Sequence, residues 1–306
     1  TIGAALEDGI ELLEEYNVEG PYDFHGIKMV EDYEPNTILT MEEILIYSSN
    51  IGTIKIAEEL GRDRIYNKAK ELGFGSKTGL SLYGEPNGTL KNTKKWTLSS
   101  MHSVPIGYEV SVTPVHVAMA YASIANGGFL LKPYLVDKVI KNDKTTLNNK
   151  KRVKKRVLSQ SNAETLKNIL FKTINIGSGK KAYLEGWDVA GKTGTAQKSI
   201  SGGYSESKHL SSFVGFFPKD NPQLLALIII DEPSTSGNQH FGGVSAAPVF
   251  KSVMNRIINI DSSIKVDKKR ETKNINGKLK RSNQVLIQKN IELVVVPDLK
   301  DKNVRE

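Results

Sequence analysis

Two short stretches carry side chains that could do chemistry together. Lys192-Thr193-Gly194-Thr195 sets a lysine, a glycine and two hydroxyls in four consecutive positions. In an extended strand Lys192 and Gly194 face one side, Thr193 and Thr195 the other. Gly194 has no side chain, so a ligand backbone can approach closely. A lysine, two hydroxyls and free backbone N–H groups suit an anionic carboxylate and a developing oxyanion. The second stretch, Ser48-Ser49-Asn50, lies between two helical segments. It reads either as a hydroxyl and an amide converging on a cleft, or as a helix break with Asn50 capping the next helix.

Gly186 to Thr193 also fits the phosphate-loop expression G-x-x-x-x-G-K-[ST]. A phosphate cradle needs a small-residue loop and a following helix whose N-terminus faces the anion. Here Trp187 and Val189 occupy the loop, and no amphipathic helix follows Thr193. The reading as a strand is preferred, and no nucleotide cofactor is expected. The absence of cysteine rules out a thiol nucleophile, a disulfide scaffold and a cysteine zinc site. His25, His102, His116, His209 and His240 are scattered with no H-x-x-x-H pair, so they read as structural or surface residues and no metal is expected.

Several helices must position these stretches. Thr40-Met41-Glu42-Glu43 is a capping box ahead of Ile44 and Leu45. Ile51, Ile54, Ala57 and Leu60 continue at helical spacing to Gly61. Asp63 is placed to cap a helix closed by Gly73, and Ser161 to Glu164 reads as a second capping box. Thr113-Pro114 and Ala247-Pro248 open two more helices. Strands are predicted at 187–197, 210–217 and 224–231, and 136–140 with 153–158 could form a hairpin. Helices followed by hairpin-linked strands predict an α+β fold, an antiparallel sheet flanked by helices. Trp187 reads as core rather than as a stacking surface.

The net charge of +8 is unevenly placed. Residues 141–156 hold eight basic side chains and one acid, and 265–281 hold eight basic and two acidic. The remainder is net acidic. Neither basic run interleaves aromatics, as a base-stacking surface would, so no nucleic-acid partner is expected. Both read as solvated loop or linker, with an anionic envelope polymer or lipid surface as the alternative. The longest apolar run, Leu224 to Ile230, has seven residues, against about 20 needed to span a bilayer. Residues 261–290 read as a basic linker, and a folded segment resumes at 291.

Taken together, the two stretches resemble a known arrangement. S-x-x-K, an S-x-N-type triplet and K-T-G are the three motifs of penicillin-binding proteins and class A β-lactamases. The second and third occur here in the right order. The chain resembles the transpeptidase domain of class B penicillin-binding proteins. The likeness extends through Leu72 to Leu80, Gly107-Tyr108 with Ser111 to Pro114, Val189 to Gln197, Ser212 to Phe216, and Gly242 to Val244 with Ala246 to Phe250. It implies a penicillin-binding/β-lactamase-like fold over 1–260. Val294 to Leu299 resembles the first strand of a PASTA domain, implying a partial module at 291–306. The nucleophile motif does not appear in the family's context. Ser76-Lys77 and Ser207-Lys208 lack its spacing, and Ser178-Gly179-Lys180-Lys181 has the spacing but lies just before the K-T-G strand. The serine and its lysine are therefore expected upstream of Thr1, and the chain alone is expected to be inactive.

The resemblance implies a D,D-transpeptidase that cross-links peptidoglycan stem peptides through a serine acyl-enzyme. Ser48 would relay a proton toward the leaving amine and Asn50 would bind the substrate peptide. Lys192 would keep the site positive and hold Ser48. Thr193 and Thr195 would bind the terminal carboxylate, with the Thr195 N–H in the oxyanion hole beside Gly194. It implies stem peptides or their lipid-linked precursor as substrates, β-lactams as mimics, cell-wall synthesis partners, and a site on the outer face of the bacterial membrane. The alternatives are a β-lactamase or β-lactam sensor of the same fold, and a non-catalytic peptidoglycan-binding scaffold.

Overall fold

The structure, a computed structural model, describes residues 1–24, 27–31, 37–201, 203–261 and 263–264. The PASTA-like tail at 291–306 and nearly all of the linker at 261–290 lie outside the described residues. Helix α1 (Ile2–Asp8) leads to strands β1 (Glu15–Asn17), β2 (Tyr22–Phe24), β3 (Ile27–Met29) and β4 (Ile38–Thr40). Helices α2 (Met41–Tyr47), α3 (Asn50–Leu60) and α4 (Arg62–Glu71) come next, then β5 (Thr89–Leu90), α5 (Ser100–Ser103), β6 (Val110–Ser111) and α6 (Pro114–Ala125). The chain continues through β7 (Phe129–Leu131), β8 (Lys138–Lys141), β9 (Lys144–Asn148), β10 (Val153–Arg156) and α7 (Gln160–Asn175). It closes with β11 (Ala190–Ile200), β12 (Gly203–Phe217), β13 (Leu224–Asp231) and α8 (Ala246–Ile260).

The principal sheet is antiparallel, in the order β11-β12-β13. Alternate residues of β12 enter two different cores, as the strand period of two requires. Phe213 and Phe217 pack with Trp187 and with Phe250 and Met254 of α8. Phe216 points the other way, onto Ala125 of α6 and Leu170 of α7. A helical layer therefore covers each face, which is why the run Phe213 to Phe217 is apolar almost throughout. A third core gathers α1, α2 and α3 around Ile44, Ile51, Ile56 and Leu60. Gly52 lets α3 close on α2: a Cβ there would lie 2.5 Å from the Ile44 side chain. Trp187 is core, as expected, edge-on to Phe217.

The local start signals hold in part. The Thr40–Glu43 capping box forms, and Thr113 caps α6 with His116 completing a reciprocal pair. Asp63 does not cap α4; Gly61 holds that position and Asp63 sits in the first turn. Ser159, not Ser161, caps α7, accepting from the Asn162 N–H. The hairpin expected between 136–140 and 153–158 is absent. β8 pairs instead with β9, and β10 pairs with β7. Asn142 and Asp143 both take positive φ, 49° and 58°, making a two-residue turn whose twist matches the flanking strands. Two residues suffice to join β8 to β9, and β10 takes β7 as its partner.

Candidate active site

The two motif stretches meet. Lys192, on β11, donates from Nζ to the Ser48 Oγ at 2.6 Å and to the Thr193 carbonyl at 3.2 Å. Ser48 ends α2 in the left-handed region, φ 66° and ψ 41°, a position that usually takes glycine. A serine held there at a conformational cost marks a turn whose side chain has a task. Ser49, rather than Asn50, is the N-cap of α3: its hydroxyl accepts from the Gly52 N–H at 2.9 Å. Asn50 is instead the first helical residue, and its carboxamide has no hydrogen-bond partner among the described residues.

β11 pairs on one side only with a described strand, β12. Its register is regular from Ala190 to Gln197. The Gln197 N–H donates outward to the Tyr108 hydroxyl at 3.1 Å. By the alternation of an antiparallel ladder, the N–H groups of Thr195 and Thr193 also face the outer edge. Thr193 Oγ1 and Ser178 Oγ lie 2.9 Å apart, and Thr195 Oγ1 accepts from the Gly242 N–H at 3.0 Å. Gly194 keeps the strand thin: a Cβ there would meet the Ser212 Oγ at 2.5 Å. So Lys192, Thr193, Gly194 and Thr195 line one edge, with Ser48 across from the lysine.

Burial lowers the Lys192 pKa from 10.5 to about 8. Removing water disfavours the ammonium, and no carboxylate forms an ion pair with it among the described residues. The site therefore holds a cation ready for an anionic partner. Three neighbours were not anticipated as parts of it. Ser178, whose sequence context argues against a nucleophile, orients Thr193 from a loop that Gly177 brings against α2; a Cβ on Gly177 would stand 2.3 Å from the Ile46 carbonyl. The flanking glycines are its visible signal in the sequence. Tyr108 occupies the strand edge beyond Thr195, and Gly242 seats a loop on Gly194. Two enclosed histidines hold structure: His102 bonds Glu58 at 3.0 Å, and His116 bonds Thr113 and the Ser76 carbonyl.

Residues 1–255 match the penicillin binding protein transpeptidase domain. The chain is 36% identical over 219 residues to stage V sporulation protein D of Bacillus subtilis, covering 70% of this chain and 33% of that protein. It is 31% identical over 261 residues to the probable peptidoglycan D,D-transpeptidase PenA of Neisseria meningitidis, covering 85% and 42%. The structure of penicillin binding protein 3 from Mycobacterium tuberculosis complexed with ampicillin superposes with a TM-score of 0.76 at 26% identity, over 87% of this chain and 61% of that one. The chain thus spans about a third to two fifths of these curated relatives. With the family match covering most of the chain and the α+β fold shared with solved relatives, the chain belongs to the penicillin-binding protein transpeptidase family, of the class B type.

Proposed function

We propose that the chain is the main part of the catalytic domain of a peptidoglycan D,D-transpeptidase that is penicillin-binding and works outside the cell membrane in wall synthesis for division or cell shape. The observation that carries this reading is the 2.6 Å bond from Lys192 to Ser48, which joins two motifs beside an open strand edge. The nucleophilic serine and its lysine base belong to an S-x-x-K motif upstream of Thr1. The serine attacks the penultimate D-alanine carbonyl of a stem peptide. An acyl-enzyme forms and D-alanine leaves with a proton relayed through Ser48. An amine of a neighbouring stem then displaces the serine, forming the cross-link. Asn50 bonds the substrate peptide. Thr193 and Thr195 bind its terminal carboxylate, and the Thr195 N–H receives the oxyanion beside Gly194. Residues 291–306 begin a PASTA module.

Penicillin binding protein 3 of Mycobacterium tuberculosis is described in complex with ampicillin, which supports β-lactams as substrate mimics here. The test is burst kinetics with a chromogenic β-lactam on the full-length protein. A stoichiometric burst with a stable acyl-enzyme is expected. Rapid turnover would favour a β-lactamase, and no burst a binding scaffold. Residues 1–306 alone should not label with fluorescent penicillin; labelling at Ser48 or Ser178 would overturn the upstream nucleophile.

The Lys192 pKa gives this reading a pH dependence. Below about 8 the side chain is a cation, and above it is neutral. Acylation efficiency is expected to fall along an alkaline limb centred near that value, because the limb reports the free enzyme. A flat profile through pH 10 would exclude a required Lys192 ammonium. Stability should move the other way. The unfolded lysine keeps its proton to higher pH, so the cost of burying the charge is relieved as pH rises from about 8.

A further inference from the structure

The turn carrying Ser48 and Asn50 is gripped from a side that the chemistry above does not use. Glu31 lies two residues beyond β3. Its carboxylate accepts from the Ser49 hydroxyl, from the Asn50 N–H at 3.0 Å and from the Ile51 N–H at 2.9 Å. The Ser49 hydroxyl in turn accepts from the Gly52 N–H at 2.9 Å. Three N–H groups that a helix leaves unpaired at its start are thereby satisfied by two side chains. α3 has no acidic residue in its own first turn, so Glu31 brings negative charge to its positive end from elsewhere in the chain.

This grip bears on the site because the turn is strained where it matters. Ser48 holds a left-handed conformation that serine does not favour. Relaxation would carry its hydroxyl away from Lys192 and re-aim the Asn50 carboxamide. Three contacts oppose it. Lys192 holds Ser48 by its side chain, the Ile44 carbonyl accepts from the Ser49 N–H at 3.0 Å, and Glu31 fixes the next two backbone units. Ser49 is 1% exposed, so it has no access to substrate and acts only within this network.

We infer that Glu31 is a positioning residue for acylation: acting through Ser49 and the backbone of Asn50, it sets the Ser48 hydroxyl and the Asn50 carboxamide without touching substrate. This rests on the transpeptidase reading above. The informative substitution is Glu31→Gln in the full-length protein. Glutamine keeps the length, but one acceptor oxygen becomes an N–H donor facing donors. Hydrogen bonds to charged groups are the stronger kind, so the acylation rate constant at saturating β-lactam should fall about tenfold or more. A double-mutant cycle with Ser49→Ala should be non-additive, because the two residues act as one unit.

Thermal unfolding is measured beside the kinetics. A lower Tm with an unchanged acylation rate constant would reduce Glu31 to a helix cap and overturn the inference, as would acylation within twofold of the parent at unchanged Tm. If Glu31→Gln does not fold, Glu31→Asp and Ser49→Ala carry the test; unchanged acylation in both overturns it. Failure of the transpeptidase reading is separate: the unsubstituted protein would then show no β-lactam burst, or rapid turnover in place of a stable acyl-enzyme.

Discussion

Lys192→Ala in the full-length protein is expected to slow β-lactam acylation by about 100- to 1000-fold, the usual loss when a preorganised electrostatic donor is removed. Nζ stands 2.6 Å from the Ser48 Oγ and 3.2 Å from the Thr193 carbonyl, so one truncation removes both bonds. It also removes the positive charge that the proposed reaction would offer to a substrate carboxylate at the β11 edge. Ser48 would keep its strained backbone but lose its side-chain partner. The loss should not come from unfolding. Burial already disfavours the ammonium, holding its pKa near 8, so removing it relieves a cost below that pH. Tm is therefore expected to hold or rise while acylation collapses, the exchange of stability for function seen at strained sites. Stopped-flow labelling with a fluorescent penicillin and a thermal melt on the same sample check both halves. Unchanged labelling would refute the role of Lys192.

Gly242→Ala is expected to be nearly as damaging, for a steric reason. A Cβ at this position would lie 2.3 Å from the Ser212 carbonyl oxygen and 2.4 Å from that of Gly194. Both obstacles are backbone atoms of neighbouring strands, so no side chain can rotate aside. The loop must lift from β11. Its N–H then leaves the Thr195 Oγ1, now 3.0 Å away, and the threonine hydroxyl loses its orientation. Overpacking of this kind costs about 1–3 kcal/mol of stability. Misplacement of a binding group by about 1 Å can cost about 100-fold in rate. Acylation should therefore fall by about two orders of magnitude in protein that remains folded at 25 °C. Gly3→Ala is the control. Gly3 lies in α1, and its Cβ would meet Leu158, just before α7, and Leu166 of α7 at 3.5 and 3.6 Å, ordinary contact, so acylation should be unchanged and stability unchanged or slightly raised. Equal behaviour of the two variants would show that the 242 loop does not constrain β11.

Features decided within a few residues are legible in the chain. The capping box at Thr40 and the Thr113-Pro114 start both form where the sequence places them. They depend on one side chain reaching a backbone group three residues away. The strand at Lys192 is likewise recognisable, because Trp187 and Val189 disqualify a phosphate loop and Gly194 marks a close approach. Where two local signals compete, the sequence misleads. The capping box read at Ser161 gives way to Ser159, two residues earlier, whose hydroxyl reaches the Asn162 N–H. The hairpin at 138–148 is hidden because its turn depends on paired positive φ values at Asn142 and Asp143, with no glycine to announce them.

The site divides along the same line. Residue types and motif order identify the family and the two stretches that meet at the site, since those are properties of short stretches. They cannot bring Ser48 to Lys192, which stand 144 positions apart. That meeting runs through α7, which packs against both α2 and β11. It also requires glycines at 177 and 242 that let backbones touch. The lowered pKa of Lys192 comes from its burial in the folded chain, and the grip of Glu31 on Ser49 from a residue 18 positions earlier. Hydrogen bonds and burial of this kind act through space. Only the packed chain brings their partners within reach, so only the tertiary structure decides them.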